Sequence, residues 1–70
     1  MIGNEALKRV YELQKRYLKH NKNLRKGQAF FNALHWVSPT TADKVRDTSV
    51  DPYYTDNIDA CLSVILKESH

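Results

Sequence analysis

The sequence predicts an all-α protein, a small bundle of three main helices plus one short helix, in a single helical domain over residues 1–70. Glycine and proline number only two each, which disfavours a turn-rich sheet. Apolar residues recur at helical spacing in several segments. An apolar content of 41% is typical of a folded chain, and 70 residues form one small domain of marginal stability.

The first predicted helix runs from about Asn4 to His20 and separates apolar from charged residues around its axis. Asn4 is the expected N-cap. Each glutamate is expected to pair with the arginine four residues later, Glu5 with Arg9 and Glu12 with Arg16. Three cations then remain on the charged face without a partner: Lys8, Lys15 and Lys19.

The second predicted helix covers about Leu24 to Val37 and is apolar around most of its circumference. Such a helix belongs at the centre of a bundle. Gly27 weakens helix propensity there and indicates a close backbone approach or a helix boundary. The polar residues of this helix form one stripe: Gln28, Asn32 and His35.

This stripe has two interpretations. In the structural one, Gln28 and Asn32 donate or accept hydrogen bonds at loop backbone such as the turn at residues 48–51, since buried polar groups normally satisfy neighbours. In the functional one, polar residues beside aromatic rings form a contact surface for a partner. The candidate residues of that surface are Gln28, Phe31, Asn32, His35 and Trp36.

Ser38 and Pro39 are expected to end the second helix, because the residue before proline avoids the α region. A short third helix, capped by Thr40 or Thr41, then continues to about Asp47. Thr40 and Asp43 have the spacing of a capping box. Its predicted buried positions are Ala42 and Val45.

Asp51 and Pro52 are interpreted as a turn, or as an N-cap followed by proline in the first helical position. The final helix covers about Asn57 to Lys67, capped by Thr55 or Asp56. Its apolar residues follow the helical period. They are Ile58, Cys61, Leu62, Ile65 and Leu66.

The charge is distributed unevenly along the chain. Residues 1–26 carry eight of the eleven Lys and Arg against two Glu, or 8 − 2 = +6, whereas residues 27–70 carry 3 − 6 = −3. A split of this size indicates a cationic contact surface at one end of the molecule. The candidate residues of this basic face are Lys8, Lys15, Arg16, Lys19, Arg25 and Lys26.

Three sequence motifs resemble a group of short phage and prophage proteins. They are R-x-G-Q-x-x-x-N-A-L at residues 25–34, A-D-x-V-R-x-T at residues 42–48 and D-P-Y-Y at residues 51–54. The similarity covers about residues 25–60 and leaves the first helix largely unmatched. It implies a phage accessory protein in the host cytoplasm, and it supplies no catalytic residue or mechanism.

The sequence offers no catalytic or metal-binding motif, so we expect no enzyme, cofactor or small-molecule substrate. His20, His35 and His70 have no ligand spacing, and the acidic residues lack the EF-hand pattern. Cys61 falls on an apolar helix face, where a lone cysteine acts as a small hydrophobe. No apolar run approaches the roughly 20 residues of a membrane span, and no signal-peptide core is present, so we expect a cytoplasmic protein without membrane contact.

Two functions from different classes remain. In the first, the protein binds another protein, either a host factor or a second copy whose acidic part meets the basic helix. In the second, the basic face binds nucleic-acid phosphates. No reader motif supports the second, and the central helix is too apolar to lie in a DNA groove. The third possibility is that the basic face contacts only water. Of the three, we expect that the protein binds another protein.

Overall fold

The computed structural model describes residues 3–67, and Glu68 and His70 lie outside this part of the chain. It confirms the predicted all-α bundle, with no strand among the described residues. The five helices are α1 (Asn4–His20), α2 (Lys26–Val37), α3 (Pro39–Val45), α4 (Pro52–Thr55) and α5 (Ile58–Lys67).

α1 has the predicted bounds, but its N-cap is Gly3 instead of Asn4. Gly3 is extended, with φ −81° and ψ 166°, and its carbonyl accepts from the Leu7 N–H at 3.0 Å. Asn4 is already the first helical residue, so its side chain lies past the capping position. At the other end, both the backbone N–H and the side-chain amide of Asn21 donate to the Tyr17 carbonyl.

α2 is the central helix, as its nearly uniform apolar surface predicted. α1, α3 and α4 all pack on it, and α5 packs on α3 and α4. One core joins side chains from α1, α2, α3 and α5. Its buried members are Val10, Phe30, Phe31, Ala33, Leu34, Ala42, Val45, Cys61 and Ile65.

α2 begins two residues later than predicted because its first turn is capped locally. The side-chain oxygen of Gln28 accepts from the Arg25 backbone N–H at 3.2 Å. This is the arrangement in which the third helical residue reaches back to the cap. Gln28 therefore bonds loop backbone, as the structural interpretation expected, but at Arg25 and not in the turn at residues 48–51. Asn32 is exposed and makes no hydrogen bond to that turn either.

α3 begins at Pro39, which presets the backbone of the first helical position. The predicted N-cap at Thr40 or Thr41 and the Thr40–Asp43 capping box are wrong, since the N-cap is Ser38. The helix also ends at Val45, two residues before the predicted end. The Ser38 and Thr41 hydroxyls instead share a hydrogen bond of 2.7 Å at the start of the helix. Burial of Ala42 and Val45 is confirmed.

Asp51 organises the connection from α3 to α4, and it is the N-cap of α4, which confirms one of the two predicted interpretations. Its Oδ1 accepts from the Tyr53 N–H at 2.9 Å and its Oδ2 from the Asp47 N–H at 2.8 Å. Only 1% of Asp51 is exposed.

The N-cap of α5 is Asn57, whose Oδ1 accepts from the Ala60 N–H at 3.2 Å. The predicted caps of this helix, Thr55 and Asp56, are wrong.

α4 is attached to the start of α2 by close backbone contact. The Gly27 N–H donates to Asp56 Oδ1 at 3.0 Å, and the Arg25 guanidinium donates to the Tyr53 carbonyl at 2.7 Å. A Cβ at Gly27 would overlap the Pro52 carbonyl oxygen and approach the Asp56 Cα to 2.7 Å. The close approach predicted from Gly27 is confirmed.

Candidate functional site

The predicted polar and aromatic stripe is divided between two sides of α2. Phe31 is nearly buried, and the His35 ring stacks on it with centroids 6.4 Å apart. Trp36, five residues after Phe31, lies about 140° away around the helix axis. It is 74% exposed and shares a shallow hollow with four residues of α1. The stripe therefore contributes to two separate surfaces.

The first surface is a row of aromatic rings between α2 and α4. Tyr53 meets Phe31 edge-on with centroids 5.9 Å apart, and Tyr54 meets Tyr53 at 5.2 Å. Tyr54, at the outer end of the row, is 65% exposed. We call this row, together with Arg46 and His35, the aromatic surface. It borders an open hollow of about 300 Å³ lined by Phe31, Arg46, Asp47, Asp51, Tyr53 and Tyr54.

Arg46 supplies the main hydrogen-bond donor of the aromatic surface. Its guanidinium carbon lies 5.8 Å from the centroid of the Phe31 ring, within the range of a cation–π contact. Its ion pair with Asp43 is long, at 3.7 Å, and about half of the Arg46 side chain is exposed. A half-exposed guanidinium near a ring keeps N–H groups available for a carboxylate.

The backbone beneath the hollow is held in place by Asp51. Because both Asp51 oxygens accept backbone N–H groups, its carboxylate supports the loop and is occupied. Asp47, which also lines the hollow, has a positive φ of 60°. No feature of the sequence near Asp47 predicts this backbone conformation. Tyr53 and Tyr54 were signalled by the D-P-Y-Y motif, but the ring contact of Tyr53 with Phe31 and the hollow shared with Arg46 were not predicted.

The second surface is the outward side of α1. Lys8, Lys15 and Lys19 are exposed and lie within a narrow arc, which we call the basic ridge. The predicted ion pairs Glu5–Arg9 and Glu12–Arg16 do not form in the described chain, because neither pair comes within 4.0 Å. These prediction errors follow from exposure, since solvated side chains gain little from such pairs.

The other members of the predicted basic face are placed differently. Arg25 lies 3.7 Å from Asp56 Oδ2 and donates to the Tyr53 carbonyl, so its guanidinium holds α4. Lys26 opens α2, and its carbonyl accepts from the Gln14 side chain at 3.2 Å. Arg16 is exposed and joins Arg9, Glu12 and Leu13 around Trp36.

An aromatic side chain stands on each flank of the basic ridge. On one flank, Trp36 borders a hollow of about 190 Å³ with Arg9, Glu12, Leu13 and Arg16. On the other, Tyr11 borders a hollow of about 370 Å³ with Asn4, Leu7, Lys8, Glu12 and Lys15. Tyr11 is 36% exposed, and its ring also packs against Phe30 of the core at 5.9 Å.

Residues 3–67 contain no group of three or more His, Cys, Asp or Glu that would hold a metal ion. Cys61 is buried, as predicted. Burial, and secondarily the charge of Asp51, raises the pKa of the Cys61 thiol to about 11, which disfavours the reactive thiolate. Within the described chain, none of the helices has the length and apolarity that crossing a bilayer requires.

The fold and surfaces define a small helical bundle with an aromatic surface on one side of its central helix and a basic ridge on the other. No family model, curated protein or solved structure matches the chain. The likeness to phage proteins and the non-enzymatic role thus stay predictions.

Proposed function

We propose that this protein is a non-enzymatic accessory protein, of the phage type that its motifs resemble, and that it binds another protein through the aromatic surface. The observation that carries the proposal is the exposed end of the ring row, where Tyr54 stands 65% exposed beside Arg46 and an open hollow. Tyrosine and arginine are enriched among the residues that dominate binding energy at protein interfaces.

The partner chemistry follows from the lining of the hollow. The rings of Phe31, Tyr53 and Tyr54 suit an apolar or aromatic side chain, which gains from edge-to-face contacts as well as from burial. The Arg46 guanidinium suits a carboxylate next to that side chain. Arg46, Tyr53 and Tyr54 also belong to the motifs that resemble phage proteins, which supports a role for this surface in such proteins.

Charge-driven self-association would need free carboxylates on the acidic part of the chain. Asp51 is buried and accepts two backbone N–H groups, and Asp56 binds the Gly27 N–H and lies 3.7 Å from Arg25. Asp43, Asp47 and Asp59 are exposed and remain for such a contact. Three carboxylates are a weak match for the basic face, which favours a host protein over a second copy. The lone cysteine suits the reducing cytoplasm, where we propose that the protein acts.

The test is capture of a partner by the tagged protein from host lysate, repeated with substituted chains. We expect Tyr54→Ala to weaken capture about tenfold or more, since loss of a central aromatic anchor typically costs upwards of about 2 kcal/mol. Tyr54→Phe keeps the ring and should retain the partner. Arg46→Glu should also release it, whereas Lys44→Glu, the same charge change two residues earlier in the chain, should not.

A partner that binds equally well to all four variants would refute the role of the aromatic surface. The helix content of each variant is measured by circular dichroism. If helix content falls in the same order as capture of the partner, the loss of capture reflects unfolding, and the role of the aromatic surface is refuted as well. Sedimentation of the purified protein addresses the second copy: a dimer that Tyr54→Ala dissociates would replace the host protein as the partner.

A further inference from the structure

The basic ridge has no charged partner within the described chain. Lys8, Lys15 and Lys19 are exposed, and no carboxylate of residues 3–67 lies within 4.0 Å of their ammonium groups. Arg16, beside the ridge, is likewise without an ion pair in this part of the chain. Along the helix axis, Lys15 lies about 6 Å from Lys19 and about 10.5 Å from Lys8, at 1.5 Å per residue. The ridge therefore presents a row of positive charges to solvent.

Trp36 adds an aromatic face to this row of charges. It is 74% exposed, although an indole is among the side chains that gain most from burial. The indole shares its hollow with Arg9 and Arg16, next to the ridge. A large exposed ring beside cations is the combination by which proteins bind single-stranded nucleic acids, with phosphates on the cations and a base on the ring.

We infer that the outward side of α1 binds single-stranded nucleic acid. Lys8, Lys15, Lys19 and Arg16 contact phosphates along the strand, and one unpaired base stacks on Trp36. The site is distinct from the aromatic surface and does not depend on the proposed protein partner. A single strand is favoured over a duplex because a duplex hides the faces of its bases, and the exposed Trp36 ring needs such a face to stack on.

The same surface favours a nucleic acid over an acidic protein. Protein interfaces have an apolar centre depleted of charge. Here the centre is the basic ridge itself, and the aromatic residues Tyr11 and Trp36 stand at its flanks. A polyanion with regularly spaced charges fits this order. An acidic peptide is retained as an outcome of the test.

The chain supplies its own probe, since Trp36 is the only tryptophan. We expect an oligothymidylate of about 15 nucleotides to quench and shift Trp36 fluorescence on binding at low salt. With three or four phosphates engaged, log affinity should fall with log salt concentration at a slope of about −2 to −3. Inorganic polyphosphate of similar length should bind through charge alone and leave the fluorescence unchanged.

Substituted chains separate the two contributions, with binding followed by the anisotropy of a labelled oligonucleotide. Lys19→Glu should weaken binding several-fold, and Lys15→Glu with Lys19→Glu by more than tenfold. Lys44→Glu changes net charge equally on α3 and should have little effect. Trp36→Ala should weaken binding about fivefold to a hundredfold, as loss of one stacked base predicts, and Trp36→Phe should restore part of it.

Four results would overturn the inference: no binding at low salt; equal binding of oligothymidylate and polyphosphate without a fluorescence change; duplex DNA bound more tightly than the single strand; or poly-glutamate bound as tightly as the oligonucleotide. The last would mark the surface as one for acidic proteins. Circular dichroism of each variant guards against a loss that reflects unfolding. A weakening by Lys44→Glu as large as that by Lys19→Glu would also reject the site, because it would show a response to net charge only.

Discussion

Gly27 is the residue at which the backbones of two helices come closest. The Pro52 carbonyl and the Asp56 Cα occupy the space in which any other residue would place its Cβ. Because the obstacle is backbone on both sides, no side-chain rotation relieves it. The position of α4, and therefore of Tyr53 and Tyr54, depends on the absence of a side chain at Gly27.

We predict that Gly27→Ala destabilises the fold by about 3 kcal/mol, at the upper end of the cost of overpacking. That is much of the stability of a domain of this size. The free energy of unfolding in urea measures the effect. Gly3→Ala is the matched control: nothing lies within 4 Å of a Cβ there, so its cost should stay under about 1 kcal/mol. Similar losses in both variants would refute the close contact.

Cys61 makes the stability depend on pH in the alkaline range. Its pKa is raised from 9.0 to about 11 by burial, and secondarily by the charge of Asp51, so folding favours the neutral thiol. The corresponding stability is fully present below pH 9 and is lost as the pH rises through about 11. We predict that the free energy of unfolding of the native chain, measured in urea, falls by up to about 2 kcal/mol over this pH interval relative to that of Cys61→Ala. Parallel curves for the two chains would contradict the raised pKa.

At the scale of elements, the connection from α3 to α4 depends on one carboxylate. Asp51 caps α4 through the Tyr53 N–H and holds the preceding loop through the Asp47 N–H. The short α4 has little helical stability of its own, since a single turn is below the length at which helices persist.

We predict that Asp51→Asn destabilises the protein by about 1–3 kcal/mol, because the amide NH₂ group would face a buried N–H that has lost its acceptor. Chemical unfolding measures the change. Asp43→Asn is the control, since the Asp43 side chain is 64% exposed and its ion pair is long, so its effect should stay within about 0.5 kcal/mol. A loss for Asp51→Asn as small as that of the control would mean that the loop does not need the carboxylate.

Element boundaries were predictable where local signals agree. The bounds of α1 follow from its clean amphipathic period, and the end of α2 follows from Ser38 and Pro39. The starts of α2, α3 and α5 differ from the predicted ones by one to three residues because neighbouring cap candidates compete. The division of the stripe between Phe31 and Trp36 was not predictable, since it depends on which sides of α2 receive α1 and α4, and that is decided by tertiary packing.

At the scale of the whole molecule, the two surfaces flank one central helix. The aromatic surface lies on the α4 side of α2, and the basic ridge lies on α1. The charge split in the sequence predicts a cationic contact surface, and Lys8, Lys15 and Lys19 are exposed on α1. On the acidic side, Asp51 is buried and accepts two backbone N–H groups, so the sequence count overstates the exposed negative charge.

The packing of α1 has a consequence for how the fold opens. Two hydrogen bonds join the start of α2 to α4: the Arg25 guanidinium donates to the Tyr53 carbonyl, and the Gly27 N–H donates to the Asp56 side chain. α1 is held to α2 by the most extensive helix–helix packing of the described chain, and its Val10 belongs to the common core, so α1 and α2 should open together. A ligand held on the outward side of α1 would therefore stabilise the whole bundle, and its binding energy would appear as a larger free energy of global unfolding.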